Sequence, residues 1–353
     1  MEPVRRDSVV WVTGGAGYIG SNVVRLLKAW KMRPIIIDDF STGTKRFLPS
    51  DVPWAGADIT DFDKLDTTMQ AVVAEHGSPT AVIHLAAESN VGWCQMNPDT
   101  AYKTNVIGTY NMADMAVRYG CKKFTFISSA AVYGNVGKKA SDTTWDWIKP
   151  TGVYGQTKLD AERMLNAYFK NKMEIFALRL FNVAGAGFGD SINISPRGRP
   201  DPESPALFPS MVRAFLSKSA EGPIIMNEQN GMVFSHTPVR DFIHVRDVAN
   251  MIVGLALTSF PRFWGTDIMI YNGGRGQPVK ISDLLKLTKY DKKELIELVK
   301  WEQAPHTDIP YSVAGGFNIG GQAERTLADM WQDEVRWHKS KMYQLIKSDK
   351  SKE

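Results

Sequence analysis

The chain has two cysteines in 353 residues, Cys94 and Cys121. Two cannot build a disulfide framework, and without a Cys-x-x-Cys pair there is no thiol set for zinc or redox exchange. Both are expected as small buried hydrophobes. No run approaches the roughly 18–20 apolar residues that a membrane helix needs, so no membrane partner is expected. Neither charge sign dominates: 42 Lys and Arg stand against 38 Asp and Glu, a formal net charge of +4. That falls short of the basic footprint of a nucleic-acid binder, and the charge is spread along the chain. The pair Lys122-Lys123 reads as a solvated strand edge. No cluster of His, Cys, Asp and Glu has metal-ligand spacing, so no metal is expected. Residues 1–7 are charged and the apolar run after them is short, unlike a signal or transit peptide. A reducing, cytoplasmic compartment is therefore expected. Residues 347–353 read as a frayed polar end.

What is present is alternation. Short apolar runs at 8–13, 34–38, 54–59, 80–85, 123–128 and 174–180 read as strands. Helical patterns at 18–30, 61–76, 98–119 and 153–170 separate them. Continuous apolar strands with helices between them imply an α/β fold, a Rossmann-type doubly wound parallel sheet covered on both faces. After Phe181 the texture changes. Residues 184–203 are rich in Gly and Pro, and read as a loop. Helical patterns follow at 207–216, 248–257 and 283–300, with a strand at 242–245. The expected division is a dinucleotide-binding domain over 1–180, also receiving 239–258, and a smaller mixed α/β C-terminal lobe over 181–238 and 259–345. Residues 346–353 form the polar tail.

The first strand runs into Gly14-Gly15-Ala16-Gly17-Tyr18-Ile19-Gly20. Gly14 permits a tight turn, Gly17 lets backbone approach a pyrophosphate, and Gly20 lets the helix lie close to the strand. The free amides and the dipole of the helix start then face the phosphates. The second strand ends in Asp38, 18 residues past Gly20, where an acid can accept hydrogen bonds from a ribose 2′-hydroxyl and repel a 2′-phosphate. NAD is therefore expected over NADP. Asp58 and Ile59 end the third strand, where they could contact adenine or cap a helix.

Tyr154 and Lys158 stand at i and i+4 and share one helix face. A free phenol has a pKa of ~10, so bringing it near neutrality takes about 4 kcal/mol of differential stabilisation. Lys158 and a nicotinamide cation are the expected sources. Such a tyrosine can take a proton from a sugar hydroxyl as hydride leaves carbon. The pair opens the helix after the strand that ends in Ser128-Ser129-Ala130-Ala131. Strand C-termini line the ligand crevice of this fold, so Ser129 can relay a proton there or simply cap the turn. His84 and His244 lie in strand-like runs and read as satisfied core histidines.

These residues together resemble the extended short-chain dehydrogenase/reductase family, and within it the UDP-hexose 4-epimerase branch. The resemblance runs from about Val9 to Thr326 through VTGGAGYIGSN (12–22), IDDFSTG (37–43), VIHLAA (82–87), TNVIGTYN (104–111), SSAAVYG (128–134), YGQTK (154–158), RLFNVAGA (179–186) and VRDFIHVRDVA (239–249). It implies Ser129 as the catalytic hydroxyl, Tyr154 as the base and Lys158 as its partner and a nicotinamide-ribose ligand. Gly14, Gly17, Tyr18, Ile19, Gly20, Asp38, Asp39, Ser41, Thr42, Gly43, Asp58, Ile59, Leu85, Ala86, Ala87, Asn105 and Ser128 would contact or support the cofactor. Asn105 would support either the cofactor or the active-site helix. Ser129, Ala130, Tyr154, Asn182, Leu207, Arg240 and Asp308 would meet the nucleotide-sugar substrate. Among them Asn182 and Arg240 would hold its diphosphate, unless Asn182 caps a turn and Arg240 pairs with Asp241.

The implied chemistry is transient oxidation at sugar C4 to a 4-keto sugar and return of the hydride to the other face. Related 4,6-dehydratases keep an Asp-Glu pair where Ala130 and Ala131 stand, which disfavours water loss. The stretch AAESNV (86–91) is dehydratase-like. The segment 304–310 lacks the family's diphosphate-clamping arginine and has His306 instead. Ala206 replaces an Asn, and 315–321 departs from the family pattern. Ser312 falls where a bulky residue restricts some sugar pockets, so an N-acetyl group would fit. Other NAD-dependent nucleotide-sugar enzymes of the family (a dehydratase, reductase or uronate epimerase) remain alternatives, as does a non-catalytic NAD-binding regulatory protein. A homodimer through 98–119 and 153–170 is implied by the resemblance.

Overall fold

The structure, a computed structural model, describes residues 6–136, 140, 148–187, 201, 204, 206–217, 224–227, 237–258, 267–288, 300–303, 309–315, 318–319 and 323–350. It divides into two compact units. The first comprises Met1–Gly134, Thr143–Leu180 and Ala249–Asn272; the second comprises Asn135–Asp142, Phe181–Val248 and Gly273–Glu353. Among the described residues, no helix is long and apolar enough to cross a membrane.

In the first unit the strands are β1 (Val9–Thr13), β2 (Arg33–Asp38), β3 (Trp54–Gly56), β4 (Ala81–His84), β5 (Lys123–Ser129) and β6 (Glu174–Leu180). The helices are α1 (Tyr18–Ala29), α2 (Phe62–His76), α3 (Val91–Met96), α4 (Pro98–Tyr102), α5 (Thr109–Arg118) and α6 (Val153–Phe169). With β11 (Met269–Gly273) the strands form one seven-stranded sheet in the order β11-β6-β5-β4-β1-β2-β3. The pairings among β1 to β6 are parallel. The order reverses between β1 and β4, the switch point at which doubly wound sheets open a ligand crevice. Fully buried Trp11, Phe124 and Phe126 pack with Leu65, Met69, Met112, Leu165 and Phe169 from the helices. Burying both faces removes the period-2 polarity, which is why these strands read as unbroken apolar runs.

The helix expected over 98–119 runs without interruption from Pro98 to Arg118. Between α4 and α5, residues Lys103–Gly108 wind as a π-helix. The third strand ends at Gly56, short of Ile59. Lys123 corrects the solvated-edge expectation: it is 2% exposed, its ammonium donates to the Thr258 carbonyl, and the Glu174 carboxylate lies 3.6 Å away. An interior strand buries even its charged first residue, and the charge then needs a partner.

The second unit contains β7 (Asn182–Ala184), α7 (Leu207–Ser217), β8 (Ile224–Asn227), β9 (Val239–Arg240), β10 (Phe242–His244), β12 (Val279–Lys280), α9 (Ile281–Leu284), β13 (Lys300–Gln303), β14 (Tyr311–Ser312), α10 (Leu327–His338) and α11 (Lys341–Lys350). Helix α8 (Val245–Leu257) starts in it and continues in the first unit. Its sheets are small: β10-β7, β12-β9-β14 and β13-β8. Phe208, Met211, Phe242, Leu284, Met330 and Trp331 form its core.

Of the helix expected over 283–300, residues 289–299 lie outside the described residues. A 3₁₀ turn covers Leu285–Thr288, and Lys300 instead pairs with Ile224. The frayed tail is also corrected, because residues to Lys350 are helical. Buried Tyr343 and Ile346 anchor them, with the Tyr343 ring 5.8 Å from Trp337 and 4.5 Å from His338. Residues 188–200, 304–308 and 320–322, which include His306 and Asp308, lie outside the described residues.

Candidate active site

The glycine turn is built by exclusion. Gly14 has φ +65°, and a Cβ there would lie 2.8 Å from the Ala86 nitrogen. At Gly20 a Cβ would fall 2.1 Å from the Gly14 carbonyl oxygen, so only glycine lets α1 start this close to β1. Gly17 caps α1 without a side-chain hydrogen bond. The dipole of α1 begins at this turn and favours a ligand with anionic oxygens.

Asp38 is buried at the end of β2. Its Oδ2 accepts from the Ala16 amide at 2.9 Å and its Oδ1 from the Phe40 amide at 2.8 Å. Burial pushes this carboxyl up, and the two amides act against it. Each oxygen keeps acceptor capacity for a ribose hydroxyl. Gly43 closes on Asp38, where a Cβ would come 3.1 Å from Oδ1. Asp39 holds the next turn through the Ser41 amide and hydroxyl at 3.0 and 2.7 Å, while Thr42 is exposed. Asp58 accepts from the Thr60 amide at 2.8 Å. Ile59 is a core side chain packed on Gly108, and its carbonyl accepts from Asn111 Nδ2 at 2.8 Å. The Leu85 and Ala86 amides donate to the Thr13 hydroxyl at 3.2 and 3.1 Å, and Ala87 follows, half-buried. A glycine cradle, an uncapped helix start and a ribose acceptor fit a dinucleotide.

Asn105 sits in the π-helical turn. Its Oδ1 accepts from the Glu88 amide at 2.9 Å, and its Nδ2 donates to the Glu88 carbonyl and the Thr157 hydroxyl, each at 3.0 Å. Thr157 in turn donates to the Tyr154 carbonyl at 2.9 Å. Of its two expected roles, this geometry supplies the support of the active-site helix. π-turns of this kind recur at functional sites.

Ser129 and Tyr154 come together, and Lys158 follows Tyr154 by one turn on α6. The Ser129 hydroxyl faces the Tyr154 phenol and favours its ionised form, and Ser129 Oγ accepts from the Ala131 amide at 3.1 Å. Ala130 is buried beside it. Lys158 is 3% exposed; its Nζ donates to the Ile127 carbonyl at 2.9 Å and lies 4.9 Å from the centre of the Phe126 ring. The expected lowering of the tyrosine is not produced by the protein's own groups. Burial pushes the phenol up to about 12, against the Ser129 hydrogen bond. Burial pushes Lys158 down to about 8, against the charges of Cys94 and Glu162.

Ser128 points elsewhere than to a cofactor: its hydroxyl donates to Glu162 Oε1 at 2.5 Å. Glu162 and its partner Arg179 were not anticipated. The signal was an arginine within the apolar run EIFALRL, since a buried guanidinium requires a partner. His84 is held between the Thr13 and Thr109 hydroxyls at 2.8 and 3.0 Å, and His244 by Asp333 at 3.0 Å.

In the second unit, the Asn182 amide and Nδ2 both donate to the Asp241 carbonyl, at 3.0 and 3.2 Å. Arg240 donates from Nη1 to the Val239 carbonyl at 3.1 Å and to the Ile309 carbonyl. The Asp241 carboxylate accepts main-chain amides of Arg275, Gly276 and Ala314 at 2.9, 2.7 and 3.1 Å. Leu207 opens α7, half-buried, and Ser312 lies opposite Arg240 on the parallel neighbour β14.

A model of the NAD dependent epimerase/dehydratase family matches residues 10–261. The chain is 30% identical over 347 residues to a UDP-glucose 4-epimerase of Bacillus subtilis, covering 94% of this chain and 97% of that one. It is 35% identical over 252 residues to a UDP-glucose 4-epimerase of Halalkalibacterium halodurans, covering 68% of each. Among solved structures, a UDP-glucose-4-epimerase from Stenotrophomonas maltophila with bound NAD and formylated UDP-arabinopyranose superposes with a TM-score of 0.75 at 26% identity, over 97% of this chain and 99% of that one. The chain belongs to the NAD dependent epimerase/dehydratase family.

Proposed function

We propose that the protein is an NAD-dependent 4-epimerase of nucleotide-linked hexoses, UDP-glucose and UDP-galactose or their N-acetyl forms. One observation carries the reading: the Ser129 hydroxyl faces the Tyr154 phenol, with buried Lys158 one turn further along α6 and alanines at 130 and 131. The Gly14–Gly20 turn and Asp38 hold the cofactor, and its preference for NAD follows from the Asp38 carboxylate. When bound, NAD supplies a reversible hydride acceptor for C4 and a positive ring charge. Tyr154 takes the O4 proton, directly or through Ser129, and returns it after the 4-keto sugar has turned over. Lys158 stabilises the phenolate while the proton is away. Without an acid and base at 130 and 131, the sugar keeps its other hydroxyls. Asn182 and Arg240 hold the diphosphate of the substrate, Leu207 and Asp308 meet it elsewhere, and Ser312 leaves room for an N-acetyl group.

The protein acts as a cytoplasmic homodimer in this reading. Tyr102, Ile107, Tyr110 and Tyr168 are exposed at 45%, 44%, 37% and 62%, and the rings of Tyr110 and Tyr168 lie 6.1 Å apart. An apolar surface of that kind supports self-association. Two free, buried cysteines suit a reducing compartment.

The test is incubation of the purified protein with a panel of UDP-, dTDP- and GDP-sugars followed by NMR. The expected result is interconversion of C4 epimers with no net NADH. Loss of the 4-hydroxyl, or accumulation of free NADH, would overturn the reading.

A further inference from the structure

Arg179 lies on β6 directly across from Ser128 on β5. Neither its side chain nor that of Glu162 has any exposure. Arg179 donates from Nε to Glu162 Oε1 at 2.9 Å and from Nη2 to Oε2 at 2.6 Å, the fork geometry of a bidentate pair. Oε1 also accepts the Ser128 hydroxyl at 2.5 Å. The Tyr133 ring lies 4.9 Å from the guanidinium, and its hydroxyl donates to Asn272 at 2.7 Å. One carboxylate thus joins α6 to β5 and β6.

Its place on α6 gives that junction a consequence. Tyr154, Lys158 and Glu162 recur every four residues and share a face. They meet consecutive residues at the end of β5: Tyr154 meets Ser129, Lys158 the Ile127 carbonyl, and Glu162 the Ser128 hydroxyl. A buried ion pair as such adds little net stability, since apolar replacements of similar size are often as stable. The placement of this pair is better explained by position than by stability.

We propose that Glu162, braced by Arg179, is a positioning residue that seats the end of β5 on the catalytic helix. It keeps the Ser129 and Tyr154 hydroxyls in contact and holds a compensating charge near Lys158. The inference rests on the reading of Ser129, Tyr154 and Lys158 as the catalytic set. It adds a group that touches neither substrate nor cofactor.

The charge has a direction. Lys158 is faced by Glu162 on its own helix, Cys94 from α3, buried His84 from β4, the Ile127 carbonyl and Phe126 ring from β5, and Tyr154. Among these Glu162 favours the ammonium, so removing its charge moves loss of the Lys158 proton to lower pH.

The experiment compares wild type with Glu162→Met/Arg179→Met, Ser128→Ala and Tyr154→Phe. Melting, bound NAD, kcat, KM for UDP-galactose and the pH profile of kcat are measured. The Met/Met pair is expected to stay folded and retain NAD. Its kcat should fall about tenfold or more, as expected when reacting groups are slightly misplaced, with KM little changed. Because the Met/Met pair removes one charge of each sign, the fall in kcat against KM reads the positioning role. Ser128→Ala should lower kcat several-fold, and it decides the matter should the double variant not fold. A folded Met/Met variant with wild-type kcat would overturn the inference, as would a fully active Ser128→Ala. An active Tyr154→Phe would instead overturn the catalytic reading beneath it. An inactive Tyr154→Phe beside a normal Met/Met variant would remove the positioning role alone.

Discussion

A phenol at about 12 is a poor base, and that is where burial leaves Tyr154. In the proposed reaction the activating charge must therefore arrive with the cofactor, so the residue works only in the loaded site. Lys158 meanwhile carries its charge against burial. Its folded pKa of about 8 lies below the usual 10.5, so at neutral pH the ammonium is less comfortable folded than unfolded. By linkage, that cost is present below pH 8 and relieved as pH rises toward 10.5. Lys158→Met should therefore abolish turnover and raise stability near pH 7 by about 1–3 kcal/mol, after allowance for the Ile127 carbonyl it leaves unpaired. Denaturant unfolding measures this; a less stable variant would contradict it. His84 behaves likewise. Its folded pKa is about 3 against 6.5 unfolded, so protons bind the unfolded chain first. Its contribution is fully present above about pH 6.5 and declines as pH falls toward 3, by about 1.4 kcal/mol per pH unit. His84→Gln should flatten the acid limb of melting temperature against pH, and identical limbs would show another group at work.

At the scale of elements, the site depends on how closely helices approach strand ends. A Cβ on Gly155 would sit 2.4 Å from the Ala131 carbonyl oxygen, so glycine beside Tyr154 lets α6 touch the turn after Ser129. Gly155→Ala should cost about 1–3 kcal/mol by overpacking and lower kcat far more than it raises KM. A variant that loses stability but keeps full kcat would place the contact outside catalysis. The π-turn at Lys103–Gly108 was hidden in a pattern that reads as one helix. Helical periodicity reports which face is buried, and one extra residue per turn shifts it too little to read. The strands of the second unit were harder still. Elements such as Val239–Arg240 and Tyr311–Ser312 are two residues long. Their existence rests on pairing with distant chain, and no local pattern announces it.

For the molecule as a whole, the exposed aromatic face predicts its assembly. Tyr110→Glu/Tyr168→Glu should convert a dimer to a monomer in analytical ultracentrifugation while leaving bound NAD in place; an unchanged sedimentation coefficient would point to another interface. Local spacing in the sequence was enough for the alternating fold of the first unit, the glycine turn ahead of Asp38, and the placing of Tyr154 and Lys158 on one helix. Each is written in local spacing: buried parallel strands leave unbroken apolar runs, and i to i+4 places two side chains on one helix face. Only the tertiary structure decided where charge is buried. It turned Ser128 toward Glu162, joined Glu162 to Arg179 on another strand, sank Lys123 into a strand end and anchored the C-terminal helix through Tyr343. The reason is that desolvation and ion pairing depend on what packs around a group, and those neighbours come from distant parts of the chain.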